Sequence, residues 1–174
     1  MAESNNEIVQ NTINSLHESV LSVILSTTNQ NGEVETSYSP YFFDGKDYYI
    51  LISDLAPHSQ NIKGNANISV FIIEDESQTK NIYARKRLSF QATAVMIEKD
   101  SEMFNSIIER FALRVSKMVY MLSEMKDFNL FKISPMQGRL VIGFGKTYQI
   151  DHQNNSITQV DESYIANQKA QQQS

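Results

Sequence analysis

The 174-residue sequence predicts a mainly β (α+β) fold, in which a small antiparallel β-barrel carries peripheral helices. Three observations support this class. Runs rich in β-branched and aromatic residues follow one another along the chain and are joined largely by tight turns. Strands and helices do not alternate regularly, which disfavours a doubly wound parallel sheet. The chain is 41% hydrophobic, which is enough for one domain with a single core.

Two segments have the apolar spacing of amphipathic helices. An N-terminal helix is predicted over residues 4–20, and a long helix of about six turns is predicted over about 101–125. The apolar residues of the second segment follow a 3–4 spacing without a miss: Met103, Phe104, Ile107, Ile108, Phe111, Val115, Met118, Val119 and Leu122.

The strand-like runs surround these helices. They cover residues 20–28, 34–43, 48–53, 68–74, 83–98, 128–133 and 138–150, with Pro135 between the last two. Asn31-Gly32 supplies the positive φ of a hairpin turn. Segment 54–67 predicts a loop with a short helix. We expect residues 1–150 to form one domain and the Asn/Gln/Ser-rich residues 151–174 to form a polar, mobile tail.

Composition excludes several classes of protein. The net charge is −5, whereas nucleic-acid-coating domains are usually basic, so no nucleic-acid partner is expected. The chain has no cysteine, which excludes disulfides, thiolate metal sites and cysteine nucleophiles. No apolar run approaches the roughly 20 residues of a membrane span, and the N-terminus lacks the pattern of a secretory signal. We therefore expect a cytoplasmic protein that does not associate with membranes.

Three clusters of polar residues are candidates for a site. In a strand beginning near Arg85, alternation places Arg85 and Arg87 on one face and Lys86 on the other. The two arginines form either an anion site for phosphate or carboxylate groups or a solvated strand end.

The second cluster lies where the chain leaves a strand and enters a polar loop holding Ser53, Asp54 and His58, a common place for ligand contacts. The third is the glycine-rich Gly143–Lys146 segment. No helix follows it, so its glycines indicate a bulge or close backbone approach rather than a phosphate loop. His17, His58 and His152 lie too far apart for a local metal motif, and Asp127 on its own is typical of a turn.

Several strings of this sequence resemble the HugZ/HutZ haem-utilisation family, within the pyridoxamine-phosphate-oxidase-like, FMN-binding split barrels. The resemblance covers about residues 11–150. The strings occur in the family's order: SYSPY at 37–41, SDLAPHSQNI at 53–62, SVFIIEDE at 69–76, ARKRLSF at 84–90 and DFNLFKISPMQGRLVIGFGKTY at 127–148.

The resemblance implies a homodimer of six-stranded split barrels with ligand sites at the dimer interface. It implies a haem-binding protein of iron acquisition, whose relatives in several cases open the porphyrin ring oxidatively. By motif position, Arg87 matches the arginine on the distal side of the haem, His58 matches a histidine beside the pocket, and Asp127 matches an acidic residue near the axial iron ligand.

The chain departs from the family at the axial ligand, which relatives take from a His/Gly-rich C-terminal tail. No histidine follows His152. Either His152 binds the iron, or Tyr164 does as a tyrosinate, or the site does not ligate haem at all.

Three functions remain open at this point. The first is haem binding, with or without oxygen-dependent haem degradation. The second is an FMN-binding oxidoreductase, with Arg85, Lys86 and Arg87 near the phosphate and Ser53 and Asn61 along the isoalloxazine ring. The third is a non-catalytic haem carrier or sensor.

Overall fold

The structure, a computed structural model, describes residues 5–171 and the side chains of residues 5–166. In this part of the chain there are five α-helices and nine strands. The helices are α1 (Asn5–Ser19), α2 (Pro57–Gly64), α3 (Glu102–Arg114), α4 (Met118–Glu124) and α5 (Glu162–Gln171). The strands are β1 (Ser22–Thr28), β2 (Val34–Pro40), β3 (Phe42–Phe43), β4 (Tyr48–Ser53), β5 (Asn67–Ile73), β6 (Arg87–Met96), β7 (Phe128–Gly143), β8 (Lys146–Asp151) and β9 (Ser156–Gln159).

All nine strands belong to one antiparallel sheet in the order β2-β1-β5-β6-β7-β4-β3, with the β8–β9 hairpin attached to β7. The sheet curls into a half-barrel, which confirms the predicted split-barrel α+β class. The family pattern implied six strands, and the described residues form nine. The predicted strand 34–43 divides into β2 and β3, and the predicted strand 138–150 is broken by a turn at residues 144–145 into the end of β7 and β8. β9 lies in the predicted tail.

One edge of β7 carries two partner strands in succession. β4 pairs with residues 128–133 of β7, and β8 pairs with residues 137–143. β6 follows almost the whole of the other edge. β4 and β8 therefore leave residues 134–136 of this edge of β7 unpaired between them.

Two apolar clusters hold the sheet between helices. On the inner face, Leu88, Phe90, Ala92 and Ala94 alternate along β6 and pack in one cluster with apolar residues of α1. On the outer face, α3 and α4 cover Leu51 and its neighbours on β4 and β7. Among residues 5–171, no helix is long and apolar enough to cross a bilayer.

The predicted single helix over 101–125 is wrong, because the structure breaks it into α3 and α4. Ser116 Oγ accepts a hydrogen bond from Met118 N at 3.2 Å, which favours a turn before α4. Phe111 of α3 and Val119 of α4 bury in the same cluster. The 3–4 spacing continues through the break because both helices cover the same core.

The predicted division of the last strands at Pro135 is also wrong. β7 runs through Pro135, which pairs with Ala92 where the β6–β7 register shifts. A proline lacks an N–H and is tolerated at such an irregularity. The predicted 83–98 strand begins only at Arg87, since Ile82–Ala84 forms a 3₁₀ turn capped by the Asn81 side chain.

Part of the predicted tail has regular structure. β9 pairs with β8, and Ile157 packs against the inner cluster, so backbone pairing extends the sheet beyond residue 150. The sequence pattern missed β9 because three of its four residues are polar. Residues 1–4 and 172–174, which include the first residue of the predicted N-terminal helix and the end of the predicted tail, lie outside the described residues.

His17 predicts a pH dependence of stability. It is 8% exposed, and its Nε2 lies 2.9 Å from Tyr48 Oη. Burial, and then the charges of Arg114 and His152, lower its pKa from 6.5 to about 4. The unfolded chain therefore binds a proton that the folded chain does not, so the free energy of unfolding falls as the pH drops from 6.5 towards 4. Thermal unfolding measured at several pH values checks this.

The variant His17→Phe serves as the control. We expect a flatter decline of its Tm between pH 6.5 and 4, although its Tm at neutral pH is lower because Tyr48 loses a partner. Equal declines in both proteins would contradict the role given to His17.

Candidate functional site

Ser53 and Asp127, two of the predicted site residues, are in direct contact. Ser53 ends β4 and pairs with Phe128, the first residue of β7. Its Oγ donates a 2.5 Å hydrogen bond to Asp127 Oδ2, and Asp54 N donates to Asp127 O at 2.7 Å. The carboxylate of Asp127 is thus held in place by the neighbouring strand, a contact across 74 residues that sequence spacing does not reveal.

His58 and Asn61 lie on α2, immediately after this strand end. Asn61 Nδ2 donates to Thr27 Oγ1 at 3.1 Å and to Glu35 Oε2 at 3.2 Å. Burial lowers the pKa of His58, and the negative charge of Glu35 opposes that shift. Glu35 belongs to the cluster but was missed in the sequence, since only the pairing of Thr27 with Glu35 brings it beside α2.

The loop between β4 and α2 is fixed by Asp54. Its Oδ1 accepts hydrogen bonds from Lys63 Nζ at 2.5 Å, Asn129 Nδ2 at 2.9 Å and Ser59 Oγ at 3.0 Å. The hydrogen bond from Lys63 is the main reason why the pKa of Asp54 is lowered. Asp54 therefore holds the loop that carries Ser53 and the first turn of α2.

The basic cluster differs from the predicted pair of arginines on one strand face. Arg85 precedes β6, and its guanidinium donates to Glu74 O at 2.5 Å and to Glu76 Oε1 at 2.9 Å. Lys86 Nζ lies 3.6 Å from a carboxylate oxygen of Glu74. Arg87 starts β6 and donates only to Arg85 O, and among the described side chains it has no acidic partner. Arg87 is thus the member of the cluster with an uncompensated charge.

The predicted site residues form two groups, one that contains Asp127 and one that contains Arg87. These two groups lie at opposite ends of the sheet. Arg87 pairs with Val141 near the end of β7, whereas Asp127 immediately precedes Phe128 at its start. These ends are 13 residues apart, or roughly 40 Å along the strand. One protomer does not bring Arg87 together with Ser53, His58, Asn61 and Asp127.

His152 belongs to neither end. Its ring lies on the inner face, edge-on to Phe90 at 5.7 Å, and its backbone N–H donates to Met136 O at 2.9 Å. Its Nε2 is buried with no hydrogen-bond partner among the described residues, and a Cβ added to Gly138 would lie 3.2 Å from it. Burial lowers the pKa of His152, opposed by Asp151.

Tyr164 lies nearer to the Arg87 end. Val160 N donates to Thr147 O, and Thr147 pairs with Val141, so α5 begins at this end of the sheet. Tyr164 is half-buried in the first turn of α5.

Two exposed aromatic residues flank the Arg87 end. Tyr83, in the 3₁₀ turn before β6, is 81% exposed, and Phe144, in the turn between β7 and β8, is 83% exposed. Gly145 has a φ of +68°, which this tight turn requires. A free guanidinium near exposed rings suits a flat ligand that carries negative charge.

Comparisons with known proteins identify the class. Residues 10–142 match the family model described as pyridoxamine 5'-phosphate oxidase. The chain is 40% identical over 126 residues to "Heme oxygenase HutZ" of Vibrio cholerae serotype O1, a match that covers 72% of each chain.

Solved structures agree. The crystal structure of HutZ from Vibrio cholerae, described as a haem storage protein, has 34% identity and a TM-score of 0.72 over 77% of this chain and 94% of its own. Campylobacter jejuni ChuZ has 36% identity and a TM-score of 0.82 over 92% of this chain, which spans 65% of ChuZ.

Fold and family model together define a split barrel of the pyridoxamine 5'-phosphate oxidase-like superfamily. Within that superfamily, the chain belongs to the HutZ-like family.

Proposed function

We propose that this chain is a haem-binding protein of iron acquisition and that it degrades haem with oxygen. The observation that carries the proposal is the uncompensated guanidinium of Arg87, in a chain that is 40% identical to a protein named as a haem oxygenase. Haem is a flat aromatic molecule, which suits the exposed rings of Tyr83 and Phe144 at this end of the sheet.

The role of Arg87 in this proposal is mainly chemical. Bound haem would supply the iron chemistry. The guanidinium of Arg87 would offer fixed N–H donors to the ligand, and these would stabilise negative charge that develops during oxidation. Arg85 and Lys86 keep their glutamate partners and hold the start of β6 in place.

We propose a homodimer with composite sites. Since Arg87 and Asp127 lie at opposite ends of β7, one haem reaches both only if they come from different protomers. Each site then combines the Arg87 end of one protomer with the Ser53, His58 and Asp127 end of its partner. A two-fold axis relates two such sites.

The iron ligand is tested by comparing two variants. Because His152 Nε2 is buried against the inner face, while Arg87 starts β6 on the outer face, we expect His152→Ala to leave the Soret band unchanged. Tyr164→Phe removes the oxygen that a tyrosinate ligand needs, so we expect it to shift the band. A Soret band lost in His152→Ala would assign the ligand to His152 instead.

Titration with hemin tests the whole proposal. We expect a Soret band that saturates at one haem per protomer, followed under ascorbate and air by loss of the band and release of iron to a ferrous chelator. Intact haem after prolonged incubation would make the chain a carrier or sensor. Absence of a saturating Soret band would overturn haem binding.

The second candidate is an FMN oxidoreductase, which the match to the pyridoxamine 5'-phosphate oxidase model favours. Its phosphate would require the charges of Arg85 and Lys86, which already face Glu76 and Glu74. A parallel FMN titration separates the two: tight flavin binding with no Soret saturation would favour the oxidoreductase.

A further inference from the structure

Glu35 is a charged residue of the candidate site that the proposed function does not use. It lies half-buried on β2 and pairs with Thr27, which is 1% exposed. Since paired residues of neighbouring strands point to the same face of a sheet, Glu35 points to the side that α2 covers. Among the described side chains it has no cationic partner. Its negative charge is therefore available to the neighbouring residues of α2.

Glu35 fixes the orientation of the Asn61 side chain. The two N–H groups of Asn61 Nδ2 donate to Thr27 Oγ1 at 3.1 Å and to Glu35 Oε2 at 3.2 Å. An amide can present either its nitrogen or its oxygen to a hydroxyl, but a carboxylate only accepts hydrogen bonds and therefore requires the nitrogen. Asn61 Oδ1 consequently turns away from β1 and β2, and no described group donates a hydrogen bond to it. Asn61 thus keeps one free acceptor.

The same carboxylate acts on His58. This histidine lies three positions before Asn61 on α2, so the two side chains share one face of the helix. Burial lowers the pKa of the His58 ring, and the charge of Glu35 opposes this change because it favours the protonated imidazole. Asp54, the acidic residue of the preceding loop, is paired with Lys63. Among the described residues, Glu35 is therefore the carboxylate that acts on both predicted site residues of α2.

We propose that Glu35 is a positioning residue of the candidate site, which holds Asn61 Oδ1 open to a hydrogen-bond donor of the bound molecule and places negative charge beside His58. The inference rests on the proposed function for the identity of the bound molecule, because Asn61 and His58 belong to the same site. The arrangement itself is a property of the protein without ligand. An open carbonyl oxygen and a carboxylate together favour a group that donates a hydrogen bond, and they disfavour an anion such as phosphate.

Histidine titration by NMR tests the charge. The ring signals of the three histidines are followed from acidic to neutral pH in the full-length protein without ligand, and His58→Gln assigns the signal of His58. We expect Glu35→Gln to move the midpoint of the His58 titration to lower pH, and Glu35→Asp, which keeps the charge, to restore most of it. Glu33→Gln is the matched control, because it removes the same charge from an exposed residue just before β2 and should leave the midpoint unchanged.

Hydrogen exchange tests the orientation. The side-chain NH₂ of Asn61, identified by its loss in Asn61→Asp, should exchange about tenfold faster in Glu35→Ala than in the wild type, since it loses a hydrogen bond to a charged group. Glu33→Ala should leave this rate unchanged, and the backbone amide spectrum shows that each variant is folded.

Three results would overturn the inference. They are an unchanged His58 midpoint in Glu35→Gln, an equal shift of that midpoint in Glu33→Gln, and an Asn61 exchange rate in Glu35→Ala that equals the wild-type rate. Because no haem is present in these measurements, a failure of hemin binding would overturn the proposed function alone.

Discussion

Replacing Arg87 by alanine is expected to leave hemin binding within a few-fold of the wild type and to slow oxidative haem loss by about 100-fold. The reason is that the guanidinium, which has no acidic partner among the described side chains, is the donor available to developing negative charge. The measurement is the rate of Soret decay with ascorbate under air, at a haem concentration that saturates both proteins.

Arg85→Ala is the matched control for this prediction, since it removes the same charge two residues away. Its guanidinium is engaged by Glu74 and Glu76, so we expect nearly unchanged turnover and a modest loss of stability. Equal turnover in Arg87→Ala and the wild type would remove Arg87 from the reaction.

Gly138→Val is expected to have the largest effect on stability. A Cβ at this position would lie 3.0 Å from Ser89 O, 3.1 Å from Phe90 Cβ and 3.2 Å from His152 Nε2. Two of these neighbours belong to the centre of β6 and move only with the strand. We expect a loss of about 2 kcal/mol or more, which lowers Tm by roughly 4–8 °C in thermal unfolding.

Gly64→Val is the control, because a Cβ at Gly64 meets no atom within 4 Å, and its Tm should change by less than about half as much.

A double-mutant cycle refines the result. Gly138→Ala should cost less in the His152→Ala background, since one of the three close contacts is then absent. An unchanged Tm in Gly138→Val would mean that β6 and β7 separate more easily than their pairing indicates.

The sheet was largely predictable from the sequence because its strands alternate or form short apolar runs between recognisable turns. The failures have specific causes. A bulge opposite Ala92 accommodates Pro135 and keeps β7 continuous, and Ser116 turns the chain between two helices that share one apolar face. Composition does not indicate β9, which is held mainly by backbone pairing.

The candidate site was predictable only as a set of residue types. Local motifs and family resemblance pointed to Ser53, His58, Asp127 and Arg87, but not to the hydrogen bond between Ser53 and Asp127 or to their distance from Arg87. In the sequence, alternation along a strand that was assumed to begin near Arg85 placed Arg85 beside Arg87 on one face, as part of a candidate anion site. In the structure a turn precedes β6, and Glu76 compensates Arg85, which is a tertiary contact that no local pattern contains.

The position of Arg87 and Asp127 at opposite ends of β7 has a consequence for mixtures of subunits. If each site takes one residue from each protomer, Arg87→Ala and Asp127→Ala homodimers are both impaired at every site. A mixed dimer, however, carries both changes at one site and neither at the other. After random subunit exchange, half of the dimers are mixed, so combining two impaired proteins should restore about a quarter of the wild-type haem turnover.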